Sequence, residues 1–186
     1  CFLNAILQCL WHLPGLLDAT ARVGSVASRP TVKLLNDIRR WSLQERRTLV
    51  EEERLRAALR SLRRSLHGNS YVAGRQQDAH EMLGRLLVLL HGETRDADGN
   101  SNISRASHHE QRRTRTCNSC KAAAEEEAMR CWYLVLQPEP SLLGSIQKLS
   151  TASAIADFYC SNCGRRGAAT VQDHLISLPR ILVIQL

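Results

Sequence analysis

The sequence predicts an α+β fold. Amphipathic helical patterns fill the chain to about residue 92, strand-like patterns fill the rest, and two Cys-x-x-Cys pairs sit among the strands. With 186 residues and an apolar fraction of 44%, the chain can bury a real core. An aromatic fraction of 4% leaves Leu, Val, Ile and Ala to fill most of it.

Phe2, Ile6, Cys9 and Leu13 recur at helical spacing, so residues 2–13 read as a helix stopped by Pro14-Gly15. Cys9 is thereby expected as a core thiol. Leu34, Leu35, Ile38 and Trp41 predict a second helix over 31–41. A third, 51–66, opens with Glu51-Glu52-Glu53, which suit the positive end of a helix dipole. Its Leu55, Ala58, Leu59, Leu62 and Leu66 share one face, and Arg56, Arg60, Arg63 and Arg64 lie on another. Gly68-Asn69 supplies the stop. The fourth helix, 76–91, carries Ala79, Met82, Leu83, Leu86, Leu87 and Leu90 opposite Gln77, Asp78, Glu81 and Arg85. Residues 93–111 are polar and loop-like. Strands are expected at 112–117, 129–137, 170–178 and 181–186, with a short helix near 142–149 and breaks at Pro138 and Pro140. The domain division expected is a helical part, 1–92, and a β-rich part, 93–186.

No apolar run approaches the length of a membrane span, and no basic leader with a cleavage site opens the chain. Both ends read as cuts through longer patterns, at Cys1 and within the apolar run 181–186. The net charge of +7 is concentrated in residues 54–64 and 112–115. Such charge suits nucleic acid, an anionic membrane or an acidic protein. No aromatic residue interleaves with these arginines, which argues against a single-strand nucleic-acid groove and for an ordinary solvated face.

The cysteines carry the most specific signal. Cys117-Asn118-Ser119-Cys120 and Cys160-Ser161-Asn162-Cys163 each offer two sulfurs from one tight turn. Two such turns complete a tetrahedral Cys₄ site, so Cys117, Cys120, Cys160 and Cys163 are expected to hold a structural Zn²⁺. Four thiolates leave no open coordination position, so this zinc has no catalytic role. Gly164 suits the knuckle turn. A redox pair or unligated thiols are the alternatives. The pattern fits a reducing, intracellular compartment better than a disulfide framework. Cys131, in an apolar run, is expected as a core thiol.

Cys1 precedes the first helix, where free N–H groups and the dipole favour a thiolate. That placement alone is a weak sign of a nucleophile.

Four segments together are more specific. Cys1-Phe2-Leu3-Asn4 followed by Leu7-Gln8 resembles the cysteine box of the ubiquitin-specific proteases. Gln76-Gln77-Asp78-Ala79-His80-Glu81-Met82-Leu83 is similar to that family's second block, with Met82 in place of Phe. The two Cys-x-x-Cys pairs resemble its fingers. Leu178-Pro179-Arg180-Ile181-Leu182-Val183-Ile184-Gln185-Leu186 resembles the strand that leads to its histidine box. The segments occur in family order across the whole chain.

The resemblance implies a papain-like cysteine protease fold with a thumb, zinc-ribbon fingers and part of a palm. It implies hydrolysis of the (iso)peptide bond after ubiquitin's C-terminal glycine, with Cys1 as nucleophile through an acyl-enzyme. It makes ubiquitin and ubiquitinated proteins the expected partners, with no membrane or nucleic acid, in the cytoplasm or nucleus. Asp78, Glu81 and Gln77 become the candidates for gripping ubiquitin's basic tail. The plain alternative is that the two carboxylates cap or pair within their own helix. Asn4 and Gln8 are expected to pack and orient the first helix. None of the seven histidines stands in a histidine-box context, so this segment alone is expected to be inactive. The rival readings are a ubiquitin-binding pseudoenzyme of the same family and a zinc-ribbon nucleic-acid binder.

Overall fold

The structure, a computed structural model, describes residues 2–13, 29–44, 48–67 and 78–186. The stops expected at Pro14-Gly15 and Gly68-Asn69 lie outside these residues. The chain divides into two units, Cys1–Ala106 and Ser107–Leu186.

The first unit is helical. It contains α1 (Phe2–Trp11), α2 (Pro30–Ser42), α3 (Leu49–His67) and α4 (Ala79–Thr94), and the short α5 (Asn102–Ser107) closes it. Leu62, Met82, Leu86, Leu90 and Ile103 are fully buried, and each large apolar side chain so buried stabilises the fold by about 1.5–3 kcal/mol. The stripe on α1 is rotated from the expected one. Leu3, Ile6, Leu7 and Leu10 are buried and Cys9 is exposed, so Cys9 is not a core thiol. Both sets of α1 residues are apolar at helical spacing, and the one richer in leucine removes more apolar surface from water.

Local chemistry sets the helix ends. Thr48 and Glu51 form a reciprocal capping box before α3: the Thr48 N–H donates to Glu51 Oε2 at 2.9 Å, and the Glu51 N–H donates to Thr48 Oγ1 at 3.3 Å. Pro30 occupies the first turn of α2, where its missing N–H costs nothing. Asp78 caps α4 by accepting the His80 N–H at 2.8 Å, so that helix begins at Ala79 rather than 76. It also runs on past Gly92 to Thr94, because its last residues find partners. Thr94 Oγ1 donates to the Leu90 carbonyl at 2.6 Å. Glu93 accepts the Thr31 and Val32 N–H groups, each at 2.9 Å, at the start of α2. From the same helix, Arg85 Nη1 donates to the Leu66 carbonyl near the end of α3 at 2.9 Å. An anion therefore sits at a helix N-terminus and a cation at a helix C-terminus, each matching the local dipole. Among the described residues, α5 is the one helix the sequence left as loop. Its polar residues hide a cap in which Ser101 and Ser104 exchange N–H···Oγ bonds of 2.8 and 3.0 Å.

The second unit is built on a sheet ordered β2-β1-β6-β5, with β3 pairing β1 beyond β2. The strands are β1 (His109–Cys117), β2 (Ala123–Glu125), β3 (Met129–Cys131), β5 (Ser153–Tyr159) and β6 (Arg166–Ser177), all paired antiparallel. β4 (Leu134–Val135) leaves that sheet and pairs in parallel with β7 (Ile184–Gln185), so the strand expected over 129–137 is two strands in two sheets. The short α6 (Leu142–Leu149), capped by Ser141 Oγ on the Gly144 N–H at 3.0 Å, matches the helix expected there.

Ion pairs cross the larger sheet between strands. Arg113 forks onto Asp173 at 2.7 and 3.0 Å, Arg112 meets Glu125 at 3.0 Å, Arg115 meets Glu126 at 2.6 Å, and Arg130 meets Glu110 at 3.1 Å. Successive residues of a strand point to opposite faces, so Arg112 and Arg113 place ion pairs on both faces. β1 is half-buried along its length and holds no large aliphatic residue. A sheet so polar on both sides needs another source of order, and the cysteine cluster at its end offers one.

Candidate metal centre and the α4 carboxylates

Two hairpin turns bring the four cysteines together. In each, the first cysteine donates its N–H to the carbonyl five residues on, Cys117 to Ala122 and Cys160 to Arg165, both at 2.9 Å. In each, the residue four beyond the first cysteine donates back to that cysteine's carbonyl, Lys121 at 2.9 Å and Gly164 at 2.8 Å. That return needs a left-handed residue, and Lys121 and Gly164 have φ of 61° and 67°. The two turns are therefore copies of one geometry, one with glycine at the left-handed position and one with lysine.

The four Sγ atoms all lie within 4.8 Å of one another, with Cys117 and Cys163 4.0 Å apart and Cys120 and Cys160 3.7 Å apart. A tetrahedron with zinc–sulfur bonds of about 2.3 Å has edges of about 3.8 Å, so the cluster is sized for such an ion. Cys117 and Cys160 are buried, while Cys120 and Cys163 are half-exposed. The sulfurs differ in their readiness to ionise. The Ala122 N–H and then the Asn162 amide hold Cys120 down at about 6. N–H groups of Cys120 and Ser119 lower Cys117. At Cys163 the Arg165 N–H pulls down, but burial and the three neighbouring thiols push it up to about 11. Four thiols at this spacing cannot all ionise without a cation between them, and a divalent metal supplies that charge. The four cysteines are thus able to hold a metal ion.

The turns are also latched to one another. The Asn118 N–H donates to the Ala168 carbonyl at 3.1 Å, and Thr170 Oγ1 donates to Asn118 Oδ1 at 3.1 Å. In the opposite direction, Asn162 Nδ2 reaches Cys120 Sγ at 3.6 Å. Neither Lys121 nor Asn162 was marked by the sequence pattern. The copying of knuckle positions could have marked Lys121, since Gly164 stands in its place in the other turn. Cys131 is half-buried in β3, opposite His109, where burial pushes its thiol up, and its sulfur is not among the four that lie together.

Cys1 and Gln77 lie outside the described residues. α1 begins at Phe2, immediately after Cys1. Asn4 and Gln8 stand on the exposed side of α1, so neither packs into the helical core as expected. Asp78 and Glu81 both stand at the start of α4 and are exposed, each engaged within that helix as the plain alternative expects. Each has one oxygen engaged: Asp78 Oδ1 accepts the His80 N–H, and Glu81 Oε1 accepts from Arg85 Nη2 at 2.6 Å. Among the described residues the second oxygen of each carries no hydrogen bond. On α3, Arg56 pairs with Glu52 at 2.6 Å and Arg60 with Glu53 at 2.7 Å, as in a solvated, self-compensated face. Among the described residues no helix is long and apolar enough to cross a membrane.

Comparison with solved structures places the fold. Three structures of the SAGA Ubp8/Sgf11/Sus1/Sgf73 DUB module match the whole chain. One carries a Ser-to-Asn variant of Ubp8 (TM-score 0.75, 17% identity), one carries a Cys-to-Ala variant of Ubp8 bound to monoubiquitin (0.75, 19%) and one is bound to ubiquitin aldehyde (0.74, 20%). The chain spans about 45% of the length of these relatives. At such identities the likeness speaks for fold, here a mixed helix and sheet arrangement. No curated protein matches the chain. The profile of the ubiquitin carboxyl-terminal hydrolase family matches residues 1–186, the full length, and the chain belongs to that family.

Proposed function

We propose that this chain is part of a cysteine deubiquitinase with Cys1 as its nucleophile. The family match over residues 1–186 carries this reading. It is supported by the start of α1 immediately after Cys1, where the helix dipole favours a thiolate. The thiolate attacks the carbonyl after ubiquitin's C-terminal glycine, the amine leaves with a proton, and water hydrolyses the thioester. A histidine is required as base and then acid, and none of the seven here stands in a suitable sequence context. These 186 residues alone are therefore expected to be nearly inactive.

Asp78 and Glu81, with Gln77 beside them, grip ubiquitin's basic C-terminal tail. Both carboxylates are exposed, and among the described residues each keeps one oxygen without a hydrogen bond, which supports this, since charge-assisted bonds to arginine are strong. The helical unit corresponds to the thumb and the β-rich unit to the fingers and the start of the palm of a papain-like fold. The metal is zinc, held by Cys117, Cys120, Cys160 and Cys163 as a structural clamp on the fingers. When bound, it supplies charge and cross-linking to the knuckles and takes no part in hydrolysis. The paired Cys-x-x-Cys pattern fits an intracellular setting better than a secreted disulfide framework.

The test is hydrolysis of a ubiquitin C-terminal fluorogenic amide by the full-length protein and its Cys1→Ala variant. Turnover lost in the variant supports the assignment. Ubiquitin binding without turnover in the parent would replace it with a pseudoenzyme. Metal analysis should return about one zinc per chain, lost with Cys160→Ser.

A further inference from the structure

We propose that Asn162 is a positioning residue of the metal centre: its amide N–H holds the Cys120 thiolate and shields it from electrophiles, so that Cys163 is the first sulfur to yield. This rests on the reading that the four cysteines hold a metal. Burial protects Cys117 and Cys160, each only 4% exposed. The two half-exposed sulfurs, Cys120 and Cys163, are the ones that solvent reagents reach.

These two are not equivalent. Asn162, from the opposite knuckle, places Nδ2 3.6 Å from Cys120 Sγ. The corresponding position in the first knuckle is Ser119, whose side chain is shorter and does not hydrogen-bond to Cys163. Among the described residues no side-chain N–H donor reaches Cys163. A metal held by four thiolates keeps a net negative charge spread over the sulfurs. An N–H···S bond draws charge from the sulfur that accepts it and makes that lone pair a poorer nucleophile. Asn162 itself is solvent-exposed, so its contact with Cys120 lies on the side from which a solvent reagent approaches. The latch of Asn118 onto Ala168 and Thr170 fixes the knuckle-to-knuckle register on which the contact depends.

The probe is N-ethylmaleimide with the zinc-loaded protein. A sulfur lone pair adds to the maleimide C=C bond, an S–C bond forms, and the resulting carbanion takes a proton from water. The sulfur becomes a thioether and its bond to zinc breaks. Cys1 and the exposed Cys9 are not among the proposed metal ligands and react on their own account; among the four clustered cysteines, peptide mapping should find the first adduct on Cys163 in the parent. In Asn162→Ala and in the isosteric Asn162→Asp, which lacks the donor, the rate at Cys120 should rise about fivefold, the equivalent of one hydrogen bond of about 1 kcal/mol. The rate at Cys163 should be unchanged.

Cobalt-substituted protein gives a readout that general loosening does not move. Removing the donor raises the energy of the sulfur lone pair, so the sulfur-to-cobalt charge-transfer band should shift to lower energy. An unchanged Cys120 rate and band in metal-loaded variants would overturn the proposal. Uniform acceleration at all four cysteines would also overturn it, by showing that Asn162 only stabilises the fold. A parent that takes up neither zinc nor cobalt would overturn the metal reading itself, before any variant is compared.

Discussion

Lys121→Gly should stabilise the protein. Lys121 has φ of 61°, where a side chain's Cβ crowds the following carbonyl. Leaving that region to glycine relieves about 1–2 kcal/mol. Glycine's greater freedom in the unfolded chain returns about 0.5–1 kcal/mol. The net gain is about 0.5–1 kcal/mol, or roughly 2 °C in the unfolding midpoint of a chain this size. The other knuckle supplies an internal control. Gly164 has φ of 67°, and a Cβ added there meets nothing within 4 Å, so Gly164→Ala isolates the backbone cost without a clash. It should lower the midpoint by a similar amount. The assay is thermal unfolding of both metal-loaded variants beside the parent. A lower midpoint for Lys121→Gly, or no loss for Gly164→Ala, would show that the left-handed turn is not what limits the knuckles.

Three further outcomes follow from contacts in the structure, the last from the buried His109, whose Nε2 meets Gln111 Nε2 at 2.8 Å. Glu93→Gln removes the charge and one of two acceptors from the start of α2, and should cost about 2 kcal/mol by denaturant unfolding. Asp78→Asn keeps an N-cap of equal quality for α4 but loses the charge, and Glu81→Gln does the same for the second carboxylate. Each should weaken ubiquitin binding by about 1.5–3 kcal/mol in calorimetry with the full-length protein, and parental affinity in both would sink the tail-grip assignment. Burial pushes the His109 imidazole below its ordinary value, so the unfolded chain binds a proton that the folded chain resists. Its stabilising contribution is intact above about pH 6.5 and is lost as pH falls from there toward the folded value. The parent's stability should therefore fall more steeply between about pH 7.5 and about pH 5.5 than that of His109→Gln, which keeps an acceptor for the Gln111 amide.

The order of helices before strands was legible because α2, α3 and α4 repeat leucine, isoleucine or methionine at helical spacing. The cysteine cluster was legible because two Cys-x-x-Cys turns need no tertiary information to be paired. Cys9 was misplaced because α1 is apolar on more than one side, so periodicity alone leaves its rotation open. β2 and β5 escaped notice for a different reason. Ala123, Ala124 and Glu125 have little strand preference, and β5 is solvated on both faces, so neither carries an alternating pattern. Pairing across the sheet makes them strands. The contacts of Glu93, Arg85 and Asn162 join residues far apart in sequence, and no local signal marks them.

Helix α4 sets a distance as well as burying a face. Arg85 holds the end of α3 and Glu93 holds the beginning of α2, and about 12 Å of helix separates their attachment points. Adding or removing one residue between them would turn one clasp by about 100° relative to the other and shift it by about 1.5 Å. Only one of the two neighbouring helices could then stay attached. Between positions 85 and 93 the chain is consequently far more tolerant of a change of residue than of a change of length. Insertions and deletions should accumulate instead beyond Thr94, where residues 95–100 can lengthen without disturbing either attachment.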